Sequence, residues 1–409
     1  MLLSLVCITD ARGGGGGGWQ PVFFDVTQFG AVADGKTDNS MVSNLSISMQ
    51  CAIQSRDSIL ESMERSVPLE GKSEDMDSPR GTTWVNSVIF RGPCQGPMVL
   101  LINGTLMAPS DPKLFMSDHW IGFQYVDGLV IKGGGTLDGQ GLSAWSYNDC
   151  FTNSQCKPLP VTMRFDFVNN ARIRHIRSIN SKNSHFNIFA CNNLNMSHIK
   201  ISAPEFSPNT DGIHIGSSNN IKIAHSVIGT GDDCISMVSG SQNIDISDVS
   251  CGPGHGISIG SLGRSPYEEH VTGITIRNCT LNGTQNGVRI KTWAPSWPSV
   301  ASDFKFENIF MSKVNNPIII DQQYCPRPNC DENAQSEVQI SNVTFKNIWG
   351  SSSSKVAVTL KCSRIVPCEN ITLVNINLSY DGPGGGPSSS FCSNVRGQTI
   401  GTQNPPGCL

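Results

Sequence analysis

Short segments that alternate aliphatic and polar residues recur along the chain from Trp84 onward, and most begin just after an Asn or a Gly. An alternation of period two puts the aliphatic side chains on one face of an extended segment, which is typical of a half-buried β-strand. The clearest predicted strands cover residues 171–179, 194–201, 221–227, 244–249, 274–279, 304–309, 338–345 and 371–376.

Each repeat also contains a second, shorter apolar run, as at 213–215, 235–238, 257–259 and 288–290. Repeats with two strands each are typical of a solenoid, in which every repeat forms one coil and packs on its neighbours. The pattern therefore predicts an all-β, single-domain parallel β-helix, with matching positions of adjacent coils about 4.8 Å apart. The Asn residues that recur at the turns would stack into ladders of side-chain hydrogen bonds.

Four short motifs contain the residues that are suited to catalysis. Asp211 and Asp232 are 21 residues apart, and Asp233 and His255 are 22 residues apart. Because this recurrence matches one coil, the three acids are predicted to share one face, with His255 one coil further along. The motifs are Asn-Thr-Asp-Gly (209–212), Gly-Thr-Gly-Asp-Asp-Cys (229–234), Gly-Pro-Gly-His-Gly (252–256) and Arg-Ile-Lys (289–291).

The local geometry of two motifs follows from their spacing. Asp232 and Asp233 are neighbours, and a regular strand would send their side chains to opposite faces, so the backbone must turn or bulge here. Gly229 and Gly231, which precede them closely, permit such a turn. Arg289 and Lys291 are two residues apart, so their side chains would point the same way from one strand.

Crowded carboxyl groups suit the cleavage of a glycosidic bond. That reaction needs one carboxylic acid to protonate the leaving oxygen and one carboxylate to activate water or to attack. Crowding raises the pKa of at least one carboxyl group, which can then hold the proton. Arg289 and Lys291 would bind a substrate carboxylate, so the residues indicate cleavage of an acidic sugar. The alternative for any single motif is a solvated, glycine-rich turn.

The four motifs, in this order, resemble those of the polygalacturonases, the pectin-hydrolysing glycoside hydrolases of plants and microbes. The similarity covers about 84–409 and a short piece at 24–38. It implies a right-handed parallel β-helix and inverting hydrolysis of α-1,4-linked galacturonan, with no metal or other cofactor. By motif, Asp232 matches the general acid, Asp211 and Asp233 match the pair that activates water, and His255 matches the histidine that tunes the acid.

Four residues are candidates for binding the substrate. Arg289 and Lys291 match the family's substrate-binding pair. Tyr324 resembles a subsite tyrosine, and a tyrosine packed in the core is the equal alternative. Asn209 lies two residues before Asp211, where its amide could form hydrogen bonds with a sugar. The expected partner is therefore a pectic polysaccharide such as polygalacturonate.

Charge and cysteine content indicate the partners and the cellular compartment of the protein. The formal net charge of −4 gives no indication of nucleic acid binding. No apolar stretch approaches the roughly 18 residues of a membrane-spanning helix. Fifteen cysteines, several in close pairs such as Cys150 and Cys156, favour disulfides over zinc, and eight Asn-x-Ser/Thr sequons accompany them. The chain is therefore expected to be secreted to the cell wall and to act as a monomer.

The N-terminal part departs from the strand pattern. Residues 1–18 form a short apolar and glycine-rich leader, and residues 19–83 form a cap region that is partly irregular. Within it, 66–83 is charged and lacks alternation, which predicts a disordered loop. Residues 84–409 are then the β-helix catalytic domain.

Two other functions remain open from the sequence. A polysaccharide lyase on the same architecture would use Ca²⁺ and an arginine base for elimination. A pectin-binding solenoid without activity is favoured by the irregular N-terminal region, although the complete set of motifs argues against it. The sequence does not distinguish attack at chain ends from attack within the chain.

Overall fold

The computed structural model describes residues 82–94, 96–115, 117–150, 153, 155–326, 330–331 and 333–409, and the backbone of 3–7, 22–25 and 34–38. The predicted leader and cap region lie mostly outside the described residues, and their boundaries stay predictions. The same holds for the predicted disordered loop at 66–83, except for Thr82 and Thr83, which begin a strand. No helix in this described part is long and apolar enough to cross a membrane.

β-strands make up most of the described chain. Three 3-10 helices of three residues each, Pro112–Leu114, Gly141–Ser143 and Trp145–Tyr147, are also present in this part. The strands are β1 Leu3–Cys7, β2 Val22–Asp25, β3 Asp34–Asp38, β4 Thr82–Trp84, β5 Val88–Arg91, β6 Met98–Ile102, β7 Thr105–Met107, β8 His119–Gln124, β9 Leu129–Lys132, β10 Thr136–Asp138, β11 Val161–Asp166, β12 Asn169–Arg174, β13 Arg177–Ile179, β14 Phe186–Phe189, β15 Asn192–Ser197, β16 Lys200–Ser202, β17 Ile213–Gly216, β18 Asn219–Gly229, β19 Ile235–Met237, β20 Gln242–Cys251, β21 Ile257–Leu262, β22 Val271–Arg277, β23 Thr280–Asn282, β24 Asn286–Trp293, β25 Ser299–Val314, β26 Asn316–Tyr324, β27 Val338–Ser352, β28 Val356–Lys361, β29 Cys368–Tyr380, β30 Ser389–Ser393 and β31 Val395–Asn404.

Contacts divide the chain into two compact units, and the first comprises residues 1–187 with 191–201. Its strands β5, β8 and β11 pair in parallel, with β8 in the middle. This register stacks the buried rings of Phe90, Phe123 and Phe165, whose neighbouring centroids are 4.7 and 5.4 Å apart. Stacked coils thus put identical side chains on top of one another inside the unit.

The second unit comprises residues 188–190 with 202–409. One of its sheets runs through β17, β19, β21, β24, β26, β28 and β30, and each of these strands pairs in parallel with the next. Ile213, Ile235, Ile257, Val288 and Ile318 occupy one register position on successive strands and are fully buried. The predicted second strand of each repeat is therefore confirmed, and this sheet supports the catalytic motifs.

The other sheet of the second unit has longer strands than the sequence predicted. Strand β27 extends to Ser352, although the predicted strand ended at residue 345. Asn308 in β25 and Asn347 in β27 have φ of 55° and 51°, which Asn tolerates better than most residues. The backbone therefore turns a corner at these positions without losing its pairing. The amide of Asn347 donates to the Asn308 side chain at 3.0 Å, as expected for an asparagine ladder.

Disulfides connect neighbouring parts of the chain. Ten of the described cysteines pair as Cys150–Cys156, Cys234–Cys251, Cys325–Cys330, Cys362–Cys368 and Cys392–Cys408. Cys234 directly follows Asp233, and Cys251 is the last residue of β20. The second of these disulfides therefore anchors the segment that carries two of the candidate acids.

The phenylalanine stacks give a test of the coiled architecture. Phe306 and Phe345 are fully buried, with ring centroids 4.8 Å apart. We expect Phe345→Ala to lower the free energy of unfolding by about 3–5 kcal/mol, because it leaves a cavity between coils. The matched control is Phe310→Ala, since the Phe310 side chain is 38% exposed. Chemical denaturation that gave equal losses for both variants would contradict the stacking.

Candidate active site

All the candidate site residues lie in the second unit, either within neighbouring strands or just before them. Asn209 and Asp211 precede β17, Asp232 and Asp233 connect β18 to β19, His255 precedes β21, Arg289 and Lys291 lie in β24, and Tyr324 ends β26. Because β17, β19, β21, β24 and β26 are successive neighbours in one sheet, the motifs meet although they are distant in sequence.

The side chain of Asp232 is oriented through one of its two oxygens. Oδ1 accepts a hydrogen bond from the Asp233 backbone N–H at 2.8 Å and lies 2.9 Å from Nδ1 of His255. The His255 backbone N–H also donates to the Asp232 carbonyl at 2.8 Å. The amide of Asn209 reaches the other oxygen, Oδ2, at 3.5 Å. Oδ2 is therefore the oxygen that is oriented toward the exposed Asn209.

Two opposing effects set the protonation of Asp232. Burial raises the pKa of its carboxyl group, and the nearby Asp211 carboxylate raises it further. The hydrogen bond from His255 acts in the opposite direction but does not cancel the rise. The same hydrogen bond raises the pKa of His255. Asp232 is therefore the acid of the cluster that holds a proton at higher pH than usual.

Asp233 lies beside Asp232 but has the opposite environment. Its side chain is almost completely buried, with Oδ1 bound by Arg289 Nη2 at 2.9 Å and Oδ2 bound by Lys291 Nζ at 2.9 Å. Burial alone would raise the pKa of Asp233, but Lys291 and Arg289 overcome this effect and lower it to about 2. Asp233 is therefore ionised at neutral and mildly acidic pH.

Asp211 is held by polar side chains rather than by cations. Its Oδ2 accepts a hydrogen bond from Ser236 Oγ at 2.7 Å and lies 3.5 Å from Nδ1 of His214. His214 Nδ1 also contacts Ser236 Oγ at 2.7 Å. Ser236 thus fixes the orientation of Asp211.

Two serines belong to the site although the sequence motifs did not indicate them. Ser236 contacts Asp211, and Ser258 donates to Asp233 Oδ1 at 2.7 Å while accepting from Arg289 Nε at 3.0 Å. Both share a register column with His214 and Arg289. The signal was present in the sequence, because each serine follows Asp233 or His255 by three residues.

The predicted turn at Gly231 has a different cause from the one expected. The conformational freedom of glycine was the expected cause. In the structure, a Cβ on Gly231 would lie 2.0 Å from the Ser207 carbonyl oxygen. Glycine is therefore required here because two backbone segments approach closely.

Tyr324 lies against both cations of the site. Lys291 Nζ is 5.1 Å from its ring centroid, and the Arg289 guanidinium carbon is 5.9 Å away. Tyr324 is the register partner of Trp293, and the two rings meet edge to face at 5.3 Å. An aromatic surface thus continues directly from the Asp233 ion pairs.

Three side chains could in principle hold a metal ion. Ligand atoms of Asp232, Asp233 and His255 lie within 4.8 Å of one another. However, Arg289 and Lys291 already neutralise Asp233, and His255 is bound to Asp232. The arrangement therefore suits proton transfer better than metal binding.

Comparison with known proteins identifies the class of this chain. The model of the glycosyl hydrolases family 28 matches residues 70–402. The chain therefore belongs to this family and is a glycoside hydrolase, which confirms the resemblance seen in the motifs.

Individual relatives agree with this assignment. An exopolygalacturonase of Platanus acerifolia is 48% identical over 80% of this chain and 87% of its own length. A polygalacturonase of Gossypium barbadense is 44% identical over 95% of this chain and 91% of its own length. An exopolygalacturonase of Zea mays is 39% identical over 100% of this chain and 97% of its own length.

Solved structures agree on the fold. An exopolygalacturonase of Thermotoga maritima has a TM-score of 0.72 at 17% identity and covers 92% of this chain and 90% of its own. An endo-xylogalacturonan hydrolase of Aspergillus tubingensis has a TM-score of 0.71 at 21% identity, with 91% and 98% covered. The right-handed parallel β-helix predicted above is thereby confirmed.

The contrast between Asp232 and Asp233 predicts opposite effects on stability. Asp233→Asn leaves Arg289 and Lys291 buried without their counter-ion, so we expect it to cost about 3–5 kcal/mol near neutral pH. Asp232→Asn should leave the melting temperature unchanged or raise it, because the raised pKa means that folding disfavours the ionised carboxylate.

Thermal unfolding of both variants measures this difference. The contribution of Asp233 should be fully present above its unfolded pKa of about 3.8 and fade as the pH falls toward 2, its folded value. Equal melting temperatures for Asp233→Asn and the unmodified protein at pH 7 would contradict the ion-pair assignment.

Proposed function

We propose that this family 28 hydrolase cleaves α-1,4-galacturonosyl linkages of polygalacturonate, the unesterified form of pectin, by an inverting two-carboxylate mechanism. The observation that carries the proposal is the opposite tuning of neighbouring acids: the pKa of Asp232 is raised while that of Asp233 is lowered to about 2. Glycoside hydrolysis needs one protonated and one ionised carboxyl group at the same bond. The names of the plant relatives supply the substrate class.

Asp232 is the general acid. Its Oδ1 is occupied by the Asp233 N–H and His255, so Oδ2 donates the proton to the leaving glycosidic oxygen. The hydrogen bond from His255 limits the rise in the pKa of Asp232. After the proton has been donated, the same hydrogen bond stabilises the Asp232 carboxylate.

Asp211 and Asp233 act on the water molecule. Asp211 carries no ion pair with Lys or Arg among the described residues, so its carboxylate can accept a proton from water. Asp233 contributes a fixed negative charge and orients Arg289 and Lys291. The water attacks the anomeric carbon from the face opposite the leaving oxygen, which inverts the configuration.

Arg289, Lys291, Tyr324 and Asn209 bind the substrate. Two cations share one buried carboxylate, which leaves one net positive charge to attract a galacturonate carboxylate. The Tyr324 ring beside them offers an aromatic face for a sugar. Asn209 is exposed and close to Asp232 Oδ2, where its amide can donate to the substrate.

The protein acts on pectic polysaccharide in the cell wall, after secretion, and as a monomer. Five disulfides among the described residues suit an oxidising compartment. The proposed catalytic and binding groups come from one unit of one chain, so the chemistry requires no second copy. We expect neither nucleic acid nor a membrane to be a partner of the protein.

The acid role of Asp232 predicts a loss of turnover without a loss of binding. Asp232→Asn should lower kcat on polygalacturonate at least about a hundredfold, because an amide cannot donate the proton. Its KM should change little, since Asp232 acts mainly in the transition state. Release of reducing ends measures both values. Near-normal turnover, or an unsaturated product from the unmodified enzyme, would refute the proposal.

The tuning role of His255 predicts a shift in the pH profile. Asp232 must be protonated to act, and the His255 hydrogen bond lowers its pKa. His255→Gln removes the charge that favours the ionised form, so the alkaline limb of kcat/KM should move to higher pH. His214→Gln is the control, because His214 contacts Asp211 instead and should leave that limb in place. A shift to lower pH in His255→Gln would contradict the assignment.

A further inference from the structure

The loop after β21 is held rigidly by a single acidic side chain. The Glu268 carboxylate accepts hydrogen bonds from the backbone N–H groups of Gly263, Arg264 and Ser265 at 2.7, 2.8 and 3.0 Å. The Trp297 N–H donates to the Gly263 carbonyl at 2.8 Å. Three charge-assisted bonds to one carboxylate fix the conformation of this loop, and the Trp297 bond links it to the segment after β24.

Arg264 extends the aromatic surface of the catalytic site. Its guanidinium carbon lies 5.8 Å from the ring centroid of Trp293, within the range of a cation–π contact. The Trp293 and Tyr324 rings meet edge to face, and Lys291 lies over the Tyr324 ring. A continuous path therefore leads from Lys291 over Tyr324 and Trp293 to an exposed arginine.

Charge distinguishes Arg264 from the other cations on this path. Arg289 and Lys291 both contact the buried Asp233 carboxylate. The ion pairs of the described residues include no carboxylate within 4.0 Å of the Arg264 guanidinium, although the Glu268 carboxylate binds its backbone. A galacturonate chain carries one carboxylate per sugar, so each further unit in the cleft presents another negative charge. The Arg264 guanidinium is therefore available to bind the carboxylate of such a unit.

Resting on the proposed function, we propose that Arg264 binds the carboxylate of a galacturonate unit beyond the one held by Lys291 and Tyr324. Trp293 holds the guanidinium in place, and Glu268 holds the loop. Tyr267 belongs to the same loop and is 97% exposed, so its aromatic face is available to a sugar. The loop is thus a distal subsite for an acidic sugar, and it increases affinity for longer chains.

The dependence of KM on chain length tests this subsite. For Arg264→Gln, we expect KM to rise about tenfold on long oligogalacturonides, with kcat unchanged and digalacturonate unaffected. Arg264→Lys should recover part of the loss. Arg277→Gln is the matched control, because it removes the same charge from β22, where Arg277 pairs with Asp245, and should change KM at no length.

A second variant tests the role of the loop. Glu268→Ala keeps the arginine side chain at position 264 but removes the hydrogen bonds that hold the backbone of the loop. It should therefore also raise KM on long chains only. On oligosaccharides that are methyl-esterified only at the units distant from the cleaved bond, Arg264→Gln and the unmodified enzyme should have equal KM, because the carboxylate that Arg264 binds is lost while the one at Lys291 is kept.

The possible outcomes distinguish failure of the distal subsite from failure of the proposed function. An Arg264→Gln effect that is equal for digalacturonate and long chains, or absent at every length, would overturn the distal subsite. Failure of the unmodified enzyme to hydrolyse any oligogalacturonide would refute the proposed function instead.

Discussion

The in-register parallel pairing of successive strands is the constraint on which the site depends. His214, Ser236, Ser258 and Arg289 occupy one column on β17, β19, β21 and β24. Adjacent strands are about 4.8 Å apart, so side chains in one column are within hydrogen-bond reach. A slip of one residue would turn each of these side chains into the core and expose the isoleucines beside them.

Buried charge determines how the neighbouring acids differ. Asp232 and Asp233 are consecutive in sequence, yet one faces His255 and the other faces Arg289 and Lys291. Burial and the nearby Asp211 carboxylate raise the pKa of Asp232 despite its contact with His255, whereas two cations more than compensate for burial at Asp233. The same strands that assemble the acids therefore also supply the charges that separate their protonation states.

The periodicity of the sequence was sufficient to predict which residues meet. Asp211 and Asp232 were expected one coil apart, and Arg289 and Lys291 were expected to point the same way, because strand geometry dictates both. The part played by Ser236 and Ser258 was missed although their spacing of three residues after Asp233 and His255 is visible, because serine on a strand has no chemical signature of its own.

Other features depended on contacts that periodicity does not encode. Strand β27 continues through its corner because Asn347 adopts a left-handed conformation, which an alternation pattern does not reveal. Ion pairing of both Arg289 and Lys291 with Asp233 was also not predicted, since spacing gives the face of a side chain but not its partner. Because these two cations are paired with Asp233, the proposed recognition of additional substrate carboxylates falls to Arg264.

In the proposed mechanism, Asp232 and Asp211 act at one bond from opposite faces of the sugar. Proton NMR of the first product released from polygalacturonate reports the configuration at the new reducing end before mutarotation. Inversion of an α-linked chain predicts that the β-anomer appears first. Initial release of the α-anomer would contradict the two-carboxylate assignment.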